Sequence, residues 1–214
     1  MAPVTREAIE LRIGPPHAEL AAGVQWLTEH LSAHLITAQH LTAILPEVLD
    51  VALLLCDRFA AGGHLYCFGN GGSAADAQHL TGELIGHYKR DRRALPAVTL
   101  TTDPTVMTCI ANDFDYADVF ARQVTALARP GDVVVAFTTS GRSANVVSGL
   151  RAGQRAGATT VLFGGNGGGP SLAYADHALL ASSDQTPRIQ EMHGLMLHLI
   201  SEYVDAWAAG EQGC

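Results

Sequence analysis

Apolar positions in the first part of the chain recur at helical spacing. From about residue 17 to 42, leucine, valine and isoleucine return every three or four positions, the period of one face of an α-helix. A second stretch of this kind runs from about 46 to 61 and ends at Gly62-Gly63, a pair typical of a helix C-terminus. The pattern predicts N-terminal helices within 17–61, preceded by an extension at 1–16 that ends in Gly14-Pro15-Pro16.

After residue 62 the pattern changes to short apolar runs that alternate with helical segments. The candidate strands are 64–69, 96–100, 132–138, 159–163 and 177–181, and the candidate helices are 73–88, 104–111, 116–129, 143–156, 170–175 and 187–209. This alternation indicates βαβ units and a parallel sheet. The apolar run Val133-Val134-Val135 fits a strand covered on both faces. We therefore expect an α/β fold whose single core domain spans 62–209.

The first candidate strand leads directly into a glycine-rich turn, Gly69-Asn70-Gly71-Gly72-Ser73, and then into helix-favouring sequence. Glycines let backbone N–H groups approach a ligand closely, and a helix N-terminus attracts anions. In parallel sheets, ligands bind beyond the C-terminal ends of the strands, which is where this turn falls. The sequence predicts one wall of a binding site here.

A second loop of the same kind, Thr138-Thr139-Ser140-Gly141-Arg142-Ser143, follows the most apolar strand. Several hydroxyls around a glycine at a helix start can donate hydrogen bonds to phosphate oxygens. A single such hydroxyl would more simply be a helix N-cap. Because three of them, Thr139, Ser140 and Ser143, follow a buried strand together, we predict that this loop binds a phosphate group.

His79 and Glu83 lie four residues apart on the helix that follows the glycine turn, so they share one face. Such a pair is usually a surface contact, but its position beside a ligand loop favours a general base or a metal-ligand pair. Asn112-Asp113 is equally well a loop pair or a clamp for substrate hydroxyls. On the C-terminal helix, Gln190 and His198 are roughly 12 Å apart along the axis. One metal ion joins them only if both side chains reach toward each other or if they serve different subunits, and His193 is an alternative ligand or a packing residue.

Composition limits the classes of partner. The formal charge of −8 argues against nucleic acid or an anionic membrane surface. The first ten residues include acidic groups and no apolar core of a signal peptide, and no apolar run reaches the length of a membrane span. The four cysteines, Cys56, Cys67, Cys109 and Cys214, have no C-x-x-C spacing, and for Cys56 and Cys67 we expect reduced thiols in the core. These features favour a cytoplasmic protein.

The combination of these motifs resembles a known family. Several segments are similar to the SIS (sugar isomerase) domain. They are the segment 69–79 with Glu83, Ala111-Asn112-Asp113, the loop 139–143, and Arg188-Ile189-Gln190-Glu191 with His193. Within that group they most resemble bacterial phosphoheptose isomerases, over about residues 46 to 205. The resemblance implies a five-stranded, flavodoxin-like parallel sheet and a homotetramer with N-terminal helices between subunits and active sites at subunit interfaces.

The resemblance also implies a reaction and its residues. The activity is the interconversion of sedoheptulose 7-phosphate and D-glycero-D-manno-heptose 7-phosphate, with Glu83 as the base and His198 as the acid/base. One zinc ion per subunit is implied, with His79, Glu83, Gln190 and His198 as ligands. The implied substrate contacts are Asn70, Gly71, Gly72, Ser73, Asn112, Asp113, Thr138, Thr139, Ser140, Ser143 and Gln190.

Two positions depart from the family pattern. Arg142 replaces the usual asparagine of the second loop and adds a cation, and Pro187 replaces an acidic residue found in many members. The main alternative is a non-catalytic SIS protein that binds a phosphosugar or associates with a replication initiator. A regulator that senses a phosphosugar is a third interpretation. The retained set His79, Glu83, Gln190 and His198 favours the enzyme, since a binding module needs none of these residues.

Overall fold

The computed structural model of the protein describes residues 17–165 and 167–211. The predicted extension at 1–16 and Cys214 lie outside the described residues. Helix α1 spans His17–His40, a 3₁₀ turn follows at Leu41–Ile44, and helix α2 spans Leu45–Ala60. The chain divides into two compact units after Ile36. In the first unit, the apolar side chains of α1 are exposed, among them Leu20, Val24, Leu27, Leu31 and Leu35.

The second unit contains a five-stranded parallel sheet. Its strands are β1 (Leu65–Gly69), β2 (Ala97–Thr99), β3 (Val133–Phe137), β4 (Thr159–Gly164) and β5 (His177–Leu180), in the spatial order β2-β1-β3-β4-β5. All four neighbouring pairs run parallel. This is the flavodoxin-like order, and it confirms the fold class predicted from the sequence.

Helices cover both faces of the sheet. They are α3 (Gly72–Ile85), α4 (Pro104–Asp113), α5 (Val119–Leu127), α6 (Ala144–Arg155) and α7 (Thr186–Ala208). Alternate strand residues point to opposite faces. Val133 and Val135 pack with α2, α3 and α7, whereas Val134 and Ala136 pack with α4, α5 and α6. Burial on both faces is the reason why the strands read as continuous apolar runs.

Three predicted helices differ in extent or type. The helix predicted at 73–88 begins at Gly72 and ends at Ile85, because the backbone N–H groups of residues 88–90 bond to the Asp205 carboxylate and not to helix carbonyls. The helix predicted at 116–129 begins as a 3₁₀ turn, Tyr116–Asp118, before α5. The segment predicted at 170–175 is a 3₁₀ helix, Gly169–Tyr174.

Two of the cysteines lie in the core, as the sequence predicts. Cys56 and Cys67 are fully buried in the core, and burial raises the pKa of the Cys67 thiol to about 11. Their interpretation as core thiols is therefore confirmed. No helix in the described part of the chain is long and apolar enough to cross a membrane.

Candidate active site

The candidate site lies where β1 and β3 end side by side. Gly69 of β1 is in register with Phe137 of β3, and the chain leaves the two strands in opposite directions along the sheet. In open α/β folds a crevice forms at this reversal of strand order. A cavity of about 260 Å³ is found here, lined by Asn70, Gly72, Ser73, Phe137, Thr138, Thr139, Ser140, Ser143, Thr186 and Gln190. Both predicted loops and Gln190 therefore meet in one cavity.

A close backbone approach explains one glycine of the first loop. A Cβ atom added at Gly72 would overlap the side-chain amide of Gln190. Gln190 lies on the second turn of α7, and the glycine at 72 leaves the space at the start of α3 that its side-chain amide occupies. Gln190 and the glycine turn, both among the implied substrate contacts, lie next to each other in the structure although they are 118 residues apart in sequence.

The second loop is held by its own side chains. The Thr138 hydroxyl accepts a hydrogen bond from the Gly141 N–H (3.1 Å), and the Ser140 hydroxyl accepts one from the Arg142 N–H (3.2 Å). Gly141 has φ +63°, and a Cβ there would overlap the carbonyl oxygen of Gly168. Ser143 occupies the N-cap position of α6 but makes no side-chain capping bond. Its hydroxyl can therefore serve a ligand.

A second cluster of polar groups joins α3 to α7. His79 Nε2 is 2.9 Å from Glu83 Oε1, and His198 Nε2 is 3.2 Å from His79 Nε2. One ligating atom from each of the three residues lies within 4.8 Å of the others. The i,i+4 pair predicted on α3 and the histidine predicted on α7 are thus brought together.

The donor set of this cluster fits a zinc ion. Two imidazole nitrogens and one carboxylate oxygen are a common set of zinc ligands. Nitrogens that share one tetrahedral zinc at about 2.0–2.1 Å lie roughly 3.3 Å from each other. The separation of the His79 and His198 Nε2 atoms, 3.2 Å, agrees with that value.

Other predicted residues lie elsewhere. Gln190 contacts Gly72, which is seven residues or roughly 10 Å of helix rise from His79, so it is not brought to the cluster within one chain. Asn112 and Asp113 are exposed at the end of α4 and bond to each other (2.7 Å), outside the cavity lining. His193 is fully buried, 3.2 Å from the Gly164 carbonyl and against Phe137 and Phe163, as a packing residue would be. The roles assigned to Asn112, Asp113 and Gln190, like those of the other candidate site residues, remain predictions.

A buried ion pair connects the two helices that carry the cluster. Arg92 Nε donates to Asp205 Oδ1 (2.9 Å), and both side chains are fully buried. The Arg92 guanidinium also donates to the carbonyls of Glu83 (2.6 Å) and Leu84 (2.7 Å) at the end of α3. Asp205 lies on α7, seven residues beyond His198. The pair therefore ties the helix that carries Glu83 to the helix that carries His198.

The charge state of Asp205 follows from these contacts. Burial alone would raise the pKa of this carboxyl. Backbone N–H groups of Lys89, Arg90 and Tyr88 and the Arg92 side chain donate to it, and together they lower its pKa below the ordinary value. Asp205 is consequently an ionised carboxylate at neutral pH.

Sequence reasoning missed several residues of the site. Asn145 exchanges two hydrogen bonds with Asn70, and Tyr116 donates a third to the same amide. Phe137 and Thr186 also line the cavity. A signal existed for Asn145, which is a polar residue in the apolar first turns of α6. Nothing in the local pattern marks Tyr116.

Comparison with known proteins places this site in a family. Residues 32–165 match the SIS domain family. The chain is 46% identical over 159 residues to a probable phosphoheptose isomerase of Thermoplasma acidophilum, covering 74% of this chain and 87% of that protein. It is 41% identical over 182 residues to a phosphoheptose isomerase of a Roseiflexus species, covering 85% and 92%. The chain belongs to the phosphoheptose isomerase family of SIS-domain proteins.

Solved structures agree with this family. The phosphoheptose isomerase of Neisseria gonorrhoeae superposes with a TM-score of 0.81 at 34% identity, covering 85% of this chain and 98% of that one. The Francisella tularensis phosphoheptose isomerase gives a TM-score of 0.83 at 28% identity, covering 86% and 98%. The SIS domain match contains both loops and the His79–Glu83 pair, whereas Gln190 and His198 lie on α7 beyond it.

Proposed function

We propose that the protein interconverts sedoheptulose 7-phosphate and D-glycero-D-manno-heptose 7-phosphate. The observation that carries the proposal is the cluster of His79 and Glu83, on the helix that follows the glycine turn, with His198 of α7. Three relatives that are 41–46% identical to this chain are named phosphoheptose isomerase or probable phosphoheptose isomerase. A phosphosugar-binding module would need the loops but not a cluster of one carboxylate and two imidazoles.

In this proposal the phosphate is held by neutral donors. The loop from Thr139 to Ser143 opens α6, a helix of 12 residues, and hydroxyls together with helix N–H groups suit a phosphate dianion. The protein has a formal charge of −8, so a generally basic surface does not attract the substrate. Asn70, Gly71, Gly72 and Ser73 hold the sugar, with Gln190 opposite them.

The reaction itself moves two protons. Glu83 removes the proton from C1 of the ketose and returns it to C2, through an enediol, to form the aldose. His198 moves the accompanying proton between the oxygens on C2 and C1. His79, 2.9 Å from Glu83, orients that carboxylate, and Arg92 holds the backbone carbonyl of Glu83 in place.

A zinc ion, one per subunit, is part of the proposal. His79, Glu83 and His198 would hold it, and Gln190 would contribute only if its side chain reached the cluster from another subunit. A bound zinc ion supplies polarisation of the carbonyl and stabilises an enediolate. Because a tightly bound carboxylate is a poor base, the role of Glu83 requires a weakly held ion or one that leaves during turnover.

We also propose a homotetramer in the cytoplasm, with active sites at subunit interfaces. The exposed apolar residues of α1 support an assembly, since Leu20, Val24, Leu27, Leu31 and Leu35 are each 54–60% exposed in the single chain. Apolar patches of this extent usually mark interaction surfaces. Light scattering of the purified protein measures the mass of the assembly directly.

The test of the activity is turnover of sedoheptulose 7-phosphate by purified protein, with and without added zinc. We expect Glu83→Gln to lose at least about a hundredfold in kcat while the assembly stays folded. Glu47→Gln, which changes an exposed glutamate in the first turn of α2, is the matched control and should leave turnover unchanged. If the unaltered protein binds the sugar phosphate but does not turn it over under either condition, the non-catalytic interpretation replaces the enzyme.

A further inference from the structure

Asn70 and Asn145 form a reciprocal pair of side-chain amides beneath the cavity. Asn70 Nδ2 donates to Asn145 Oδ1, and Asn145 Nδ2 donates to Asn70 Oδ1, both at 2.9 Å. Asn70 follows β1 and lines the cavity, whereas Asn145 is buried in the first turn of α6. The pair therefore joins the first loop, Gly69–Ser73, to the start of the helix that follows the second loop, Thr138–Ser143.

A backbone group fixes the direction of this pair. Asn145 Oδ1 also accepts the N–H of Val146 at 2.9 Å, a donor that it shares with the Ser143 carbonyl (3.0 Å). A backbone N–H is always a donor, so the atom facing it must be the amide oxygen. The opposite orientation of Asn145 would set its NH₂ group against that N–H. The orientation of Asn145 in turn requires Asn70 to present its nitrogen to Asn145 Oδ1 and its oxygen to Asn145 Nδ2.

Tyr116 completes the arrangement. Its hydroxyl donates to Asn70 Oδ1 at 3.2 Å, so this oxygen accepts two hydrogen bonds, from Asn145 and from Tyr116. An amide oxygen has two lone pairs, and its nitrogen carries two hydrogens. Both lone pairs of Asn70 Oδ1 are therefore occupied, and one of the two hydrogens on Asn70 Nδ2 is donated to Asn145 Oδ1. The remaining capacity of the Asn70 side chain is a single N–H donor.

We propose that Asn145 and Tyr116 are positioning residues that make Asn70 a hydrogen-bond donor and never an acceptor toward the ligand. The ligand atom that Asn70 contacts is then an oxygen that has a free lone pair and does not require Asn70 as a hydrogen-bond acceptor. In the proposed reaction, on which this inference rests, such an oxygen belongs either to the phosphate or to the C1–C2 end of the sugar, where negative charge develops. A ligand group that can only donate, such as an ammonium, is rejected at this point.

The test asks whether the effects of changing Asn145 and Tyr116 on kcat/KM depend on the presence of the Asn70 side chain. We expect Tyr116→Phe to lower kcat/KM about three- to tenfold, and Asn145→Ala about ten- to a hundredfold, because hydrogen bonds of this strength are lost. In a protein that already carries Asn70→Ala, neither change should lower kcat/KM further by more than about twofold. Tyr174→Phe, which removes the same atom outside the cavity lining, is the matched control and should have no effect.

This design separates positioning from a general loss of stability. If Asn145→Ala or Tyr116→Phe lowers kcat/KM by the same factor with and without Asn70→Ala, the proposal is wrong. It is also wrong if both single variants behave as the unaltered protein. Should circular dichroism show that Asn145→Ala does not fold, the Tyr116→Phe pair of measurements decides alone, since that change removes one atom from an exposed side chain.

Inorganic phosphate, used as a competitive ligand, distinguishes the two kinds of oxygen. If Asn70 meets the phosphate, both variants weaken phosphate binding and raise KM. If it meets the sugar, phosphate binding is unchanged and kcat falls. Should the unaltered protein fail to turn over the heptose phosphate, the same comparison is made on the Kd for sedoheptulose 7-phosphate by calorimetry. A failure of the proposed function is thereby distinguished from a failure of this inference.

Discussion

Replacement of Arg92 tests how much the buried ion pair contributes to the fold. The Arg92→Met variant keeps most of the apolar stem of the side chain and removes only the charged group. It leaves the buried Asp205 with only the more distant Arg90 guanidinium (3.6 Å) as a cation, and it leaves the carbonyls of Glu83 and Leu84 without the Arg92 donors. We expect a large loss in the free energy of unfolding.

The magnitude follows from these contacts. Removing one partner of a buried ion pair costs about 3–5 kcal/mol. Asp205 keeps the backbone N–H groups of residues 88–90 and the Arg90 guanidinium at 3.6 Å, which places the expected loss near the lower end of that range. With an m-value of about 2–3 kcal/mol/M in urea, the midpoint of unfolding should fall by roughly 1–1.5 M.

The pH dependence gives a second, independent check. The pKa of Asp205 is lower in the folded protein than the value of about 3.9 for an unfolded chain. Its stabilising contribution is therefore fully present above the unfolded pKa and is lost as the pH falls through the folded pKa. The difference between the unaltered protein and Arg92→Met should stay constant from about pH 6 to 8 and shrink below pH 4.

The assay is urea unfolding followed by circular dichroism, at equal protein concentrations because an assembly makes stability depend on concentration. Lys89→Met is the matched control. It removes a cation from the exposed pair with Glu202, and exposed pairs of this kind contribute little to stability. A loss below about 1 kcal/mol for Arg92→Met, or a difference that does not shrink in acid, would refute the reasoning.

Three further outcomes are expected. Gly72→Ala should raise KM for the sugar phosphate while the protein stays folded, because the new Cβ would displace the Gln190 amide; an unchanged KM in steady-state kinetics would contradict this. Gly141→Ala should lower Tm by several degrees in a thermal melt, because its φ of +63° and the Gly168 carbonyl both oppose a side chain; an equal Tm would be the contrary result. His79→Ala should lose bound zinc in metal analysis beside the unaltered protein, and equal zinc in both would rule out the proposed ligand set.

Elements with a local signal could be predicted from the sequence. The five strands are short apolar runs that alternate with helices along the chain, and this pattern is sufficient to predict a parallel sheet. Both ligand loops can also be predicted, because glycine and hydroxyl residues directly after a buried strand are typical of a ligand site at the end of the sheet. The His79–Glu83 pair was expected from helix geometry alone.

Contacts between distant parts of the chain had no such signal. Asp205 is 113 residues from Arg92, and its capture of the 88–90 backbone is the reason that the helix predicted to residue 88 ends at Ile85. The bond from Tyr116 to Asn70 spans 46 residues. Each of these contacts depends on how the helices pack on the sheet, and hydrophobic periodicity does not contain that information.

One helix, α7, carries Gln190 in the cavity, His198 in the polar cluster and Asp205 in the buried ion pair. Their separations are consequently set by helix geometry and cannot be adjusted by a loop. Insertion of one residue between Gln190 and His198 would turn His198 by about 100° around the axis and away from His79. Over evolutionary time the connections between elements can change in length, whereas this stretch must keep its residue count.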